Sequence, residues 1–261
     1  MKIAITGKGG VGKTTIAGAL ARLYKDKGYK VLAVDADPDA NLASAIAGVS
    51  KIQQEIVPIS QMKKLIEERT GAKPGTVGSF FRINPKVDDL PEKLGIELLG
   101  IKLLVLGGVE KGGSGCICPE STLLRSLIKS LLVERDEVVI MDMEAGIEHL
   151  GRGTAESVDV FVIVVEPGLR SLETAKSINK LAKDIGIEKI FLVLNKVRKG
   201  EKRCMEEKAR SIIPNAPVIG WINESQKVRL ADIEGKSSYD LDKIFVEKIN
   251  SLKEELGKAV S

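Results

Sequence analysis

Gly7-Lys8-Gly9-Gly10-Val11-Gly12-Lys13-Thr14-Thr15 brings together the residue types that hold a triphosphate. The spacing fits G-x-x-x-x-G-K-[ST], in which glycines let backbone N–H groups turn inward around phosphate oxygens. A helix starting near Gly12 aims its positive dipole end at the same charge. Lys13 adds a cation for the outer phosphates, and the Thr14 hydroxyl is placed to ligate Mg²⁺. Lys8 is an additional cation in the loop. It is either a solvated charge or a stabiliser of transition-state charge, acting as an arginine finger does.

Gly7, Gly9 and Gly12 also satisfy G-x-G-x-x-G, and Asp35 stands where a ribose-binding acid of a dinucleotide site would stand. A dinucleotide site has no use for Lys13-Thr14, however, and a later acid at Asp142 suits magnesium. The triphosphate reading is therefore preferred.

Two groups of carboxylates end apolar runs: Asp35-Ala36-Asp37 and Asp142-Met143-Glu144. An acid at the end of a buried strand faces the same crevice as the glycine loop. Asp142 is the candidate for holding Mg²⁺ and Asp37 for orienting or deprotonating an attacking water. Asp39 is expected only to cap the next helix. Asn195-Lys196 ends another apolar run; an amide there can read a base edge or simply make a turn.

A second chemistry lies in Cys116-Ile117-Cys118, between the glycines of 111–115 and Pro119. A disulfide between cysteines two apart closes a small strained ring, so metal binding is the better functional reading. Two thiolates do not complete a tetrahedral site, and the chain holds one histidine, His149. Two chains pairing their loops would give four sulfurs, suited to Zn²⁺ or Ni²⁺. The plain alternative is two buried cysteines without ligand. Cys204, in a charged helix, is read as structural or incidental, and His149 as a surface residue or a support to the site.

The elements that must position these groups alternate along the chain. Ile3–Ile5, Val31–Val34, Leu103–Leu106, Val138–Met141, Val160–Val165 and Ile190–Leu194 are near-continuous apolar runs, which mean strands buried on both faces. Helical patterns lie between them. One spans Ser171–Ile185 with Leu172, Ala175, Ile178, Leu181 and Ala182 on one face; another spans Glu120–Leu132. A doubly wound, mostly parallel α/β sheet follows, as one domain over 1–261. Residues 70–97, rich in glycine and proline, read as an irregular surface insertion. Leu241, Phe245, Ile249, Leu252 and Leu256 form one stripe of a C-terminal helix packed on the body.

The bulk numbers exclude some classes. Of 261 residues, 43% are hydrophobic and 29% charged, an ordinary globular balance, and a net charge of +4 is too mild to imply nucleic acid. No apolar run reaches the ~20 residues that span a bilayer, and none is expected to act as a signal peptide. Three cysteines do not suit a secreted disulfide scaffold, so a cytoplasmic protein is expected.

With these residues in view, the chain resembles the deviant Walker A ATPases, the P-loop group of MinD/ParA proteins, the arsenite-pump ATPase and the nitrogenase iron protein. Within it, Gly112-Gly113-Ser114-x-Cys116-x-Cys118 and Met141-Asp142-Met143-x-Ala145-Gly146-Ile147-Glu148-His149-Leu150 look like the CooC-type accessory ATPases of carbon monoxide dehydrogenase. The resemblance implies ATP bound with Mg²⁺ and slow hydrolysis to ADP. Lys8 would reach the partner's nucleotide across a homodimer, Asp37 and Asp142 would be the switch aspartates, and Asn195 would contact adenine. It further implies a nickel or zinc ion shared by Cys116 and Cys118 of two subunits, delivered to a client nickel enzyme. Carbon monoxide dehydrogenase is the first client to consider and acetyl-CoA synthase the second. A metal-free spatial regulator of the MinD/ParA kind is the competing class. Its support is the basic run Lys196, Arg198, Lys199, Lys202 and Arg203, but no basic membrane helix closes the chain.

Overall fold

In the computed structural model, residues 1–52, 55–75, 80–108, 118–133, 136–145, 150, 154 and 156–260 are described. The elements in chain order are β1 (Lys2–Gly7), α1 (Lys13–Asp26), β2 (Val31–Ala36), α2 (Leu42–Ala47), α3 (Lys63–Thr70), α4 (Leu90–Leu94), β3 (Ile96–Leu98) and β4 (Ile101–Val105). They continue with α5 (Pro119–Val133), β5 (Val138–Met143), β6 (Val160–Val165), α6 (Leu169–Asp184), β7 (Ile190–Val197), α7 (Glu201–Ile212), β8 (Val218–Asn223), α8 (Gln226–Ile233), α9 (Ser238–Leu241) and α10 (Lys243–Val260).

The strands form one eight-stranded sheet in the order β3-β4-β2-β5-β1-β6-β7-β8. All neighbours pair in parallel except β3 with β4. The apolar runs have no polar alternation because helices cover both faces. Ile3, Ile5, Ala33 and Ile140 pack under α1, α2 and α10; Ala4, Val34, Met141, Phe161 and Ile163 pack under α3, α5, α6 and α7. The chain leaves β1 at the centre, with β5 on one side and β6 on the other. The crevice beyond the carboxyl end of β1 is thus the switch point where such sheets bind ligands.

Three details depart from the sequence reading. Residues 70–97 are not a surface excursion throughout: Val87 and Leu90 are buried in the core, and β3 adds an antiparallel edge. Arg69 grips Asp89 through two parallel hydrogen bonds of 3.0 and 2.8 Å, which pins that stretch to α3. Leu181 is 47% exposed, because the buried stripe of α6 runs Leu172, Ala175, Ile178, Ala182 and position 181 lies a quarter turn off it. Leu241 is also exposed: it ends the short α9, and the stripe of α10 begins at Phe245.

Candidate nucleotide and metal site

The glycine loop runs from the end of β1 to the first turn of α1. Gly7 needs to be glycine because β1 lies against β6 there, and a Cβ would overlap the Val164 carbonyl. Gly12 is the N-cap of α1 with φ +93°, and a Cβ on it would overlap the Asn195 amide. No side chain caps α1 and no acid occupies its first turn. Its leading N–H groups are therefore left for an anion.

Strand periodicity places the carboxylates. Ile3 and Ile5 on β1, Ala33 on β2 and Ile140 on β5 all face α1. Two residues further along their strands, Asp35 and Asp142 continue that face, and they stand opposite each other in register. Both are fully buried. Burial pushes the Asp142 carboxyl up to about 7, with the Thr14 hydroxyl and Lys13 opposing and Asp35 and Asp37 adding to the rise. Neither Asp142 oxygen has a hydrogen-bond partner. Asp35 is pushed up to about 6, also mainly by burial, but it accepts two backbone bonds, from Leu42 N–H at 2.8 Å and Asp37 N–H at 3.2 Å.

Asp37 lies just past β2, with Oδ2 at 3.5 Å from the Lys13 ammonium, and that lysine side chain is only 7% exposed. Lys13 is thus paired with a carboxylate at the mouth of the loop. The donor set fits Mg²⁺: a hard cation takes oxygen ligands, and the orphaned Asp142 carboxylate with the Thr14 hydroxyl offers them. Thr14 and Asp142 would hold such an ion, which would supply charge neutralisation at the phosphates.

Asp39 does not cap α2. The N-cap is Asn41, without a side-chain bond, and the helix amide that needs an acceptor, Leu42 N–H, is taken by Asp35. The Asp39 N–H instead donates to Asp37 Oδ1 at 3.1 Å. The buried acid reaches α2 from below, so an acid on the loop surface is not needed. Asp35 is occupied by backbone rather than open to a ribose.

Asn195 and Lys196 hold the glycine loop itself. The Asn195 amide donates to the Val11 carbonyl at 2.7 Å and the Lys196 ammonium to the Gly10 carbonyl at 2.5 Å. Asn195 is buried, and its amide supports the loop. Three more members of the basic run are matched locally: Arg198 with Glu224, Lys202 with Glu206, Arg203 with Glu207. Cys204 is exposed on α7 and so is not a packing residue.

Of the cysteine loop, Cys118 is described; Cys116, the stretch 109–117 and His149 lie outside the described residues. Cys118 sits directly before α5. Its Sγ accepts from Ser121 N–H at 3.4 Å, and its carbonyl accepts from Thr122 N–H at 3.0 Å. Glu120, in the first turn of α5, accepts from Gly75 N–H at 3.1 Å. Among the described residues no group of three or more metal-ligating side chains converges.

Residues 2–238 match the model of the CobQ/CobB/MinD/ParA nucleotide binding domain. The chain belongs to this nucleotide-binding family. It is 48% identical over 255 residues to the carbon monoxide dehydrogenase accessory protein CooC of Rhodospirillum rubrum, covering 97% of this chain and 94% of that one. It is also 48% identical over 252 residues to an uncharacterized ATP-binding protein of Methanocaldococcus jannaschii, covering 94% and 96%. The fold is that of a ParA family ATPase from Chlorobium tepidum, with TM-score 0.68 at 19% identity and 98% of each chain covered. Pyrococcus horikoshii MinD, solved as a complex with Mg-ADP, superposes with TM-score 0.66 at 20% identity.

Within this family frame, the sequence reading missed the tie from Asp35 to α2, the loop-supporting bonds of Asn195 and Lys196, and the Thr6 hydroxyl that donates to the Glu144 carbonyl at 2.6 Å. Asp35 and the Asn-Lys pair were visible as polar residues ending apolar runs. What they touch was not. Among the described residues no helix is long and apolar enough to cross a membrane.

Proposed function

We propose that this protein is an ATP-hydrolysing accessory protein that carries a nickel or zinc ion to carbon monoxide dehydrogenase, working in the cytoplasm as a homodimer. The observation that carries the reading is 48% identity to CooC across nearly the whole chain, on a fold that keeps an orphaned buried carboxylate under a phosphate-type loop. ATP binds on the amides of residues 9–15 with Lys13 on its outer phosphates. Mg²⁺ sits with Thr14 and Asp142. Asp37, once Lys13 has left it for phosphate, orients the attacking water. Lys8 engages the partner's nucleotide, and pairing of two chains brings Cys116 and Cys118 of each around one metal ion, the cargo. Hydrolysis loosens the pair and releases the ion. Because one dimer serves both sites, nucleotide and metal affinity are linked reciprocally.

The reading is tested by measuring Ni²⁺ and Zn²⁺ affinity and molar mass with and without a non-hydrolysable ATP analogue. The expected result is a dimer that binds one ion per pair more tightly with the analogue, and a Cys116→Ser/Cys118→Ser variant that binds none. Equal affinities, or a chain that stays single when saturated with nucleotide, would falsify it. A metal-free regulator that polymerises on DNA would instead show salt-sensitive DNA binding. Within the basic run that would serve it, Arg198, Lys202 and Arg203 are already matched by Glu224, Glu206 and Glu207.

A further inference from the structure

The end of β7 carries an irregularity that the proposed reaction has not used. In a regular strand, successive side chains alternate between faces. Val193 faces α1, Leu194 faces the opposite layer, and Asn195 returns to the α1 side, where it meets Val11. Strict alternation would put Val197 with Asn195, yet Val197 belongs to the opposite layer with Leu194. One residue is therefore inserted, and the register of β7 against β8 shifts between Leu194 and Val197. The inserted residue is Lys196, whose φ of +56° lies in the left-handed region that a lysine rarely adopts. Bulges of this kind re-aim side chains beside active sites, and strained backbone persists only where its surroundings hold it.

The bulge lets two consecutive residues reach the same loop. Asn195 takes the Val11 carbonyl, and Lys196 takes the carbonyl of the preceding residue, Gly10. Glu166, just past the carboxyl end of β6, stands 3.6 Å from the same ammonium. In a trans peptide, a carbonyl and the following N–H point in opposite directions. Drawing the Gly10 and Val11 carbonyls toward β7 therefore turns the Val11 and Gly12 N–H groups to the other side. The Val11 N–H has only a long 3.4 Å bond to the Lys8 carbonyl, which a phosphate oxygen can replace.

We propose that Lys196 is a positioning residue for phosphate binding: from the β7 bulge it clamps the Gly10 carbonyl and so presets the loop amides for the outer phosphates of a nucleotide. The assignment rests on the reading that residues 9–15 take a triphosphate. Lys196 touches the loop carbonyl, not the nucleotide, so its effect follows the phosphates and is indifferent to the base.

The test is competition of ATP, ADP and AMP against a fluorescent ATP analogue, with Mg²⁺, on the full chain. Lys196→Met keeps the stem and removes the cation; it is expected to lose about tenfold in ATP and ADP affinity, the loss of one charge-assisted bond, with AMP unchanged. Lys196→Arg, which can still donate, is expected to recover to within about twofold, as is Glu166→Gln, which leaves the Gly10 bond intact. Arg198→Met serves as a control for charge alone. Lys196→Met binding ATP as the wild type does overturns the inference. So does an equal loss for AMP, which would mean a contact on the base side. A wild-type chain that binds no ATP defeats the nucleotide reading itself, an outcome separate from a silent Lys196 in a chain that binds it. Lys196 is half exposed, and circular dichroism of each variant checks that the fold is kept.

Discussion

The ends of β2 and β5 offer a controlled comparison. Asp35 and Asp142 stand in register on neighbouring strands, on the same face and with the same burial. Asp35 receives two backbone N–H bonds and Asp142 receives none. An unpaired buried carboxylate costs stability, so a protein retains one only where something else repays it. The difference separates two situations that residue type alone does not separate: Asp35 ties the loop that carries Asp37 to α2, and Asp142 is left without a backbone partner, as the proposed Mg²⁺ site requires.

The sharpest way to break this comparison is catalytic. Asp142→Asn is expected to lower Mg²⁺-dependent ATP hydrolysis by at least about 10²-fold, since it would remove a ligand of the proposed charge-neutralising ion. Asp35→Asn should cost about tenfold, through a misplaced Asp37. Steady-state kcat with and without Mg²⁺ reads both, and equal losses would erase the distinction.

Stability without nucleotide is expected to reverse the ranking. Asp35→Asn must turn an N–H toward either Leu42 N–H or Asp37 N–H, leaving a buried amide unmatched, and should destabilise by about 2 kcal/mol. Asp142→Asn removes an unpaired buried charge and should stabilise by about 1 kcal/mol at pH 8. Urea denaturation of the two variants measures this.

The pH dependence sharpens it further. Both carboxyls titrate higher in the folded chain, near 6 and near 7, than a carboxyl does when unfolded, near 3.8. Between those values the folded state holds more protons, so their contribution to stability is present at low pH and is lost as pH rises. For Asp142 the loss from pH 5 to pH 7 is about 2 kcal/mol, and Asp142→Asn should flatten most of the slope. Saturating Mg-ATP should flatten it too, because the ion favours the ionised form. A thermal midpoint that rises over this range would contradict the assignment.

The smallest effect tests the correction to the helix start. Asp39→Ala should leave stability within about 0.5 kcal/mol, since neither α2 nor its first amide uses that side chain. A loss of the size seen when a cap is removed would return Asp39 to the capping role.

Much of the fold was legible because its cause is local. Six apolar runs without alternation identify strands covered on both faces, and glycines with Lys13-Thr14 identify a phosphate loop by chemistry that tolerates few other residues. β3 and β8 were not legible. One is three residues long, and the other is a half-exposed edge interrupted by Gly220, so neither makes a continuous apolar run. In the site, Asp37 and Asp142 were nominated by their place at strand ends, while the Asp39 cap failed because Asp35 reaches the same helix from beneath.

Sequence by itself determined the alternation of elements, the phosphate loop, the acids at the strand ends and the paired cysteines, because each depends on residue type and short spacing. Only the tertiary structure decided which acid is satisfied and which is left without a partner, and that Asn195 and Lys196 grip Val11 and Gly10 from 184 and 186 residues away. The reason is physical. Hydrogen-bond partners and register arise between strands distant in the chain, and a single inserted residue in β7 redirects a side chain without leaving any mark on composition or periodicity.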